Sequence, residues 1–440
     1  MENCRLSTDL VVDILSRLRV KSLMRFKCVC KFFYNLITND LRFMDTHYEF
    51  HKAKTDCVLL ETGLAVRENY LLYKESSEYN EIGCIYLDIP TTPRAMWVKC
   101  CKGMLCLIST RNDIAKLDNV DYLIYDIWIC NPSIRKVKAL PSVTVPYRLP
   151  YNAYVHNEFG FGISNDMTWK VVMLLEICSF DVSTNDQQIT LVYSQVGGDS
   201  WSLRQINAVT SCRDIGGQFN DFYLSGLDMG LNNDFYLKGR YYWLANRFHD
   251  EPYTQCLIWF DMNDEVFGRI ELRSDIIIPS ISIMNDTIAL ISSVGDSSSF
   301  DIWLMMGDDN NTYWHKQASI DCVVDINESW IPMGIWNLDG ELLVYLFKRV
   351  EDDWDWDSDS EYVERGVPPY FISVNLVTQE RKMFSVSKER KSITMASHPT
   401  AGDFQVYNER NIDITEEWER NNFRGEALYA RVYEERLHFL

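Results

Sequence analysis

From Asp9 onward the apolar positions Leu10, Val11, Ile14, Leu15 and Leu18 recur every three or four residues, one stripe of an amphipathic helix. Ser7 or Thr8 can cap it, and Asp9 suits the positive end of the helix dipole. A second apolar set runs from Val20 through Leu23, Phe26, Val29 and Cys30, followed by Phe33, Leu36 and Ile37. Two or three helices in about 40 residues bury too little surface to cover their own apolar faces. A partner or the next domain must cover part of them. After about residue 55 the pattern becomes short apolar and aromatic runs punctuated by Gly, Asn, Asp and Pro, which read as strands. Examples are Cys57-Val58-Leu59-Leu60, Met104–Ile108 and Tyr241–Leu244.

The runs recur in units. A polar-Gly turn precedes an apolar run at Lys102-Gly103, Lys238-Gly239 and Asp339-Gly340, with a degenerate copy at Asn285-Asp286. A strand, a polar turn and another strand appear at Ile127–Pro141, Val192–Ile206, Ile258–Leu272, Ile302–Ile320 and Phe371–Phe384. Their spacing of roughly 45–70 residues approaches that of four-stranded propeller blades of the kelch sort. The expected fold is mostly β with a small α head: three helices over residues 1–52, a propeller over 53–426, and a strand from 427–440 that closes its ring.

Charge separates the two parts. The chain has 440 residues and a net charge of −20. Residues 1–52 hold nine Lys/Arg and six Asp/Glu, a net of +3, so the remainder carries −23. Such a field repels phosphate backbones and anionic lipid, which argues against nucleic-acid or membrane-surface binding by the whole chain. Thirteen scattered cysteines in a chain this long read as reduced, mostly buried thiols. The start Met1-Glu2-Asn3-Cys4-Arg5 lacks the features of a signal peptide, so a soluble cytoplasmic or nuclear protein is expected.

Chemistry-bearing motifs are sparse. His47 and His51 stand at i, i+4, but Tyr48 occupies the position where a zinc-protease helix needs Glu, so they read as solvated or boundary histidines. Cys28 and Cys30 fall in the helical pattern and read as packed thiols; no second Cys/His pair follows them or Cys100-Cys101 at zinc spacing. Asp355, Asp357 and Asp359 alternate like a calcium loop, but Ser360 and Gly366 stand where that loop needs Gly and Glu. No nucleophile–base constellation, metal site or cofactor motif is expected. Glu351–Glu364 holds eight acidic residues in fourteen, with Trp354 and Trp356 among them. It reads as an insertion between strands: a solvated loop, or a contact surface for a basic protein.

The head, Leu6 through Leu18 continuing Val20–Lys31, closely resembles the F-box motif of plant F-box proteins. The body resembles their kelch-like F-box-associated domain over roughly residues 95–385, through Phe159-Gly160-Phe161-Gly162 with Trp169-Lys170-Val171-Val172, Asn131-Pro132-Ser133 before Leu140-Pro141, and Leu237-Lys238-Gly239 with Tyr242-Trp243. In layout the chain is similar to S-locus F-box proteins, which recognise pistil ribonucleases. The resemblance implies a non-catalytic substrate-recognition subunit of a Skp–cullin–F-box ubiquitin ligase; the alternative is an F-box scaffold acting outside the ligase. It implies an adaptor face of Leu6, Leu10, Ile14, Leu15, Leu18, Val20, Leu23, Phe26 and Phe33. The client would meet Asp353, Trp354, Asp355, Trp356, Asp357 and Asp359. The family's usual prolines are replaced by Ser7 and Arg19, each loss costing about 0.4–1 kcal/mol through the unfolded chain, and its usual Trp by Phe33.

Overall fold

The structure is a computed structural model. It describes residues 7–51, 57–62, 68–74, 81–88, 97–117, 120–147, 153–179, 187–196, 201–206, 234–247, 254–272, 280–293, 299–307, 311–321, 328–335, 340–348, 370–394, 411–413 and 428–432. The head contains four helices where three were expected: α1 Thr8–Ser16, α2 Val20–Phe26, α3 Lys31–Asn39 and α4 Leu41–His51. Ser7 caps α1 by accepting the Leu10 amide at 3.3 Å. Asp40 caps α4 by accepting the Phe43 amide at 3.0 Å. That cap starts a further helix one residue after α3 stops, beyond Ile37, where the apolar set read from the sequence ends.

The β body begins with β1 Cys57–Thr62, β2 Glu68–Lys74 and β3 Glu81–Asp88. The next unit is β4 Trp97–Cys101, β5 Met104–Leu117, β6 Val120–Asn131 and β7 Lys136–Ala139, with β8 Val143–Tyr147 added beside β6. Then come β9 Ala153–Ile163, β10 Trp169–Ser179, β11 Gln187–Gln195 and β12 Trp201–Ile206, followed by β13 Asp234–Leu237, β14 Arg240–Arg247, β15 Thr254–Asp261 and β16 Phe267–Glu271. The fourth unit is β17 Ser280–Met284, β18 Thr287–Ser293, β19 Ser299–Met306 and β20 Tyr313–Asp321. The fifth is β21 Glu328–Ile335, β22 Glu341–Lys348, β23 Tyr370–Asn375 and β24 Arg381–Thr394, beside which lies β25 Asn411–Asp413. The last strand, β26 Leu428–Val432, pairs antiparallel with β1, so the two ends of the chain share one sheet. Each unit is a meander of adjacent antiparallel strands, and β24 joins β3 in parallel to merge two units into one nine-stranded sheet.

The first strands of successive units pack together, β4 on β9, β9 on β13, β13 on β17 and β17 on β21, and the last strand of the chain, β26, packs on β21. They form the inner ring. The core lies between units. Phe159, Phe161 and Trp169 of one unit pack with Tyr125 and Ile127 of the preceding one. Val172 and Leu174 pack with Tyr241 and Trp243 of the following one. Two glycines on β9 permit this closeness: a Cβ on Gly160 would meet Trp243 at 2.9 Å, and one on Gly162 would meet Tyr236 at 2.6 Å. Buried polar pairs tie the ring as well. Lys99 on β4 pairs with Asp234 on β13, both nearly inaccessible. Lys170 reaches Glu265 at 2.7 Å and the Met262 carbonyl at 2.6 Å.

Candidate functional site

Both sequence repeats map onto turns at one end of the sheets. The polar-Gly copies are the turns from first to second strand, where Lys102, Gly103, Lys238, Gly239, Asn285 and Asp286 all take positive φ, as tight primed turns require. The strand–turn–strand copies are the hairpins from third to fourth strand. In an antiparallel meander these two sets of turns fall at the same end. The head sits at that end of the β4–β7 unit: α2 packs on the 3-10 turn Pro132–Ile134, and Ile134 enters the head's apolar cluster. The Lys102 ammonium lies 5.7 Å from the centre of the Tyr48 ring.

Within the head the expected stripe divides. Leu15, Val20 and Leu23 are 3 %, 1 % and 0 % exposed, and with Leu36, Ile37, Phe43 and Met44 they make its interior. Leu18 and Phe33 are half-buried against that cluster. Leu10, Ile14 and Phe26 stand out at 45 %, 44 % and 39 %. Leu10 and Ile14 are one helical turn apart on α1, about 100–140° round the helix from its buried Leu15. The remaining adaptor-face residue, Leu6, lies outside the described residues. Four further apolar side chains of the head are exposed: Val29, Phe32, Tyr34 and Leu41. Phe32, Tyr34 and Leu41 stood outside the expected stripe, and periodicity could not sort inside from outside because both faces of α3 are apolar.

Two readings of the head change. His47 is fully buried rather than solvated. Its Nε2 lies 2.8 Å from the Leu18 carbonyl, closing the α1–α2 corner onto α4. Burial pushes its pKa down to about 4; the Leu18 bond opposes that shift and the His51 ring, 4.4 Å away, adds to it. Cys28 and Cys30 are exposed rather than packed. Cys30 instead caps α3, its Sγ accepting the Phe33 amide at 3.5 Å. In the body, Cys101, Cys106, Cys130 and Cys256 are buried thiols, and burial raises the pKa of Cys106 and Cys130. Among the described residues no group of three His, Cys, Asp or Glu is placed to hold a metal ion, and no helix is long and apolar enough to cross a membrane.

Asp353, Trp354, Asp355, Trp356, Asp357 and Asp359 lie outside the described residues. The strands flanking them are described. β22 starts at Glu341, next to the turn end, and finishes at Lys348; β23 begins at Tyr370. Lys348 and Tyr370 therefore stand at the end of their sheet opposite its first-to-second and third-to-fourth turns.

The fold is a small helical head attached to a propeller-like β body. The family profile of the F-box associated beta propeller domain matches residues 95–349, and that of the F-box domain matches residues 3–44. The chain belongs to the F-box-associated propeller family of plant F-box proteins. It is similar to the Arabidopsis thaliana F-box protein At3g08750, 23 % identical over 304 residues covering 67 % of this chain and 68 % of that one. It is also similar to the Arabidopsis F-box sequence At3g52320, 30 % identical over 161 residues, or 34 % of this chain and 36 % of that one. The chain thus spans about a third of the length of At3g52320. Among solved structures, the β-propeller domain of the Trilobed protease from Pyrococcus furiosus matches at a TM-score of 0.30 and 11 % identity, covering 69 % of this chain and 85 % of that one.

Proposed function

We propose that this chain is the substrate-recognition subunit of a Skp–cullin–F-box ubiquitin ligase. The head docks on a Skp-type adaptor, which links it to the cullin, and the propeller holds a protein client for ubiquitination. The observation that carries the reading is the exposure of Leu10, Ile14 and Phe26 on a head whose interior is already filled by other residues. Apolar side chains left in water on a small helical unit mark a docking surface, and aromatic and aliphatic anchors dominate such interfaces. In this reading Leu10, Ile14 and Phe26 touch the adaptor, with Leu6 beside them, while Leu15, Leu18, Val20, Leu23 and Phe33 hold the helices that present them. The basic residues Arg17, Arg19, Lys21, Arg25 and Lys27 favour an acidic adaptor and speed encounter.

No catalytic step falls to this chain. Tethering makes ubiquitin transfer from the enzyme on the cullin arm effectively intramolecular. The client meets the end of the propeller away from the head, with Asp353, Trp354, Asp355, Trp356, Asp357 and Asp359 contributing an acidic, aromatic contact. The net charge of −23 on the body favours a client with a basic face, of which a secreted-type ribonuclease is one example. The complex works in the cytoplasm or nucleus. Purifying the tagged chain with its partners tests this: recovery of adaptor with cullin supports the ligase, and adaptor without cullin would instead make the chain a scaffold outside it.

A further inference from the structure

We propose that Ile134 is a positioning residue: it pegs the F-box head to the propeller and holds the two as one rigid body. Three hairpins of the body share a turn design. Asn131, Asp261 and Asn375 each accept, through Oδ1, the amide two residues on, at 2.9, 2.8 and 2.9 Å. Four residues on, Arg135, Glu265 and Gln379 take left-handed φ of 57°, 56° and 60°. The residue after the Asx position is buried in all three: Pro132, Met262 and Leu376. The turn therefore fixes these positions by its own geometry, wherever it occurs.

The third residue after the Asx position is free to differ. In two turns it is Asp264 and Thr378, both exposed and polar. In the first it is Ile134, which packs into the apolar cluster of the head. Neither the turn nor the sheet requires an apolar residue there; only the head does. Pro132, with its fixed φ, stiffens the base of the peg. A single peg allows rotation, and Lys102 over the Tyr48 ring supplies a second contact from the neighbouring turn of the same unit. The pKa of Lys27 is lowered, first by burial and then by Lys136 across the boundary, so these two cations repel. The apolar contact must outweigh them.

The test uses the full chain with Ile134→Ala, Ile134→Asp, Ile134→Leu and, as control, Thr378→Asp at the same turn position away from the head. Lysine–lysine crosslinking reads the yield between Lys27 and Lys136, small-angle scattering reads the maximum dimension, and hydrogen exchange reports whether α1 and α3 remain folded. The expected result is a several-fold fall in crosslink yield and a longer maximum dimension for Ile134→Ala and Ile134→Asp, with α1 and α3 still protected. Ile134→Leu should restore both readings, and Thr378→Asp should change neither. Unchanged crosslinking and scattering in Ile134→Ala would overturn the proposal, as would equal loosening by Thr378→Asp.

Discussion

His47 shows how one residue couples the head's fold to pH. Its Nε2–H donates to the Leu18 carbonyl, and its Nδ1 is buried with no hydrogen-bond partner, so a proton added there would be buried and unpaired. The folded pKa of about 4 lies below the ordinary 6.5 of histidine. The unfolded head then binds more protons in that window, so stability falls as pH drops from about 6.5 toward 4 and is fully present above it. The loss should reach about 2–3 kcal/mol at the acid end. His47→Gln keeps a donor for Leu18 without a titrating ring, and should flatten the pH dependence of head unfolding measured by helix ellipticity. On the body, Gly162→Ala drives a methyl group into Tyr236 and Met262 between two units. That should destabilise the propeller by about 1–3 kcal/mol in a denaturant melt, the usual cost of overpacking.

At the scale of the element, α1 and α2 carry residues of two kinds that one apolar stripe does not distinguish. Leu10→Asp with Ile14→Asp places carboxylates where water already reaches, so the free head should stay folded. Against an adaptor those carboxylates would be buried unpaired, and capture of the adaptor should be abolished in a pull-down. Leu23→Ala acts in the opposite place. Leu23 is fully buried, and its truncation should cost the head about 2–5 kcal/mol by leaving a cavity. Adaptor capture by the double mutant at wild-type level would remove the docking reading even if Leu23→Ala behaves as expected. The helices were legible because an amphipathic stripe has a period. The fourth helix was not, because the apolar set read from the sequence stops at Ile37, and Asp40 both ends α3 and caps α4.

At the scale of the molecule, ring closure and the two opposed ends matter most. β26 pairs with β1 and packs on β21. Truncation after Asn422 removes that strand and should lower the unfolding midpoint of the whole body, because the inner ring loses a member and β1 gains an open edge. A truncated chain that melts at the same temperature would show that the ring does not depend on β26. Removal of residues 1–52 should leave the body folded, since its clusters lie between its own units. Neutralising Asp353, Asp355, Asp357 and Asp359 to Asn should slow client association and flatten its salt dependence, while Trp354→Ala and Trp356→Ala should speed dissociation.

The sequence by itself determined the division into a basic helical head and an acidic β body, the repeated turns and the hairpins between them. These follow from local rules: helical and strand periods, Asx and glycine turns, and charge counted along the chain. Tertiary structure alone decided which members of the head's stripe face water, that His47 is buried while Cys28 and Cys30 are not, and that the half-buried Ile134 packs against the apolar cluster of the head. Each of those depends on which surface a second element covers, and residues distant in sequence, such as Leu18 with His47 or Ile134 with the head cluster, decide that.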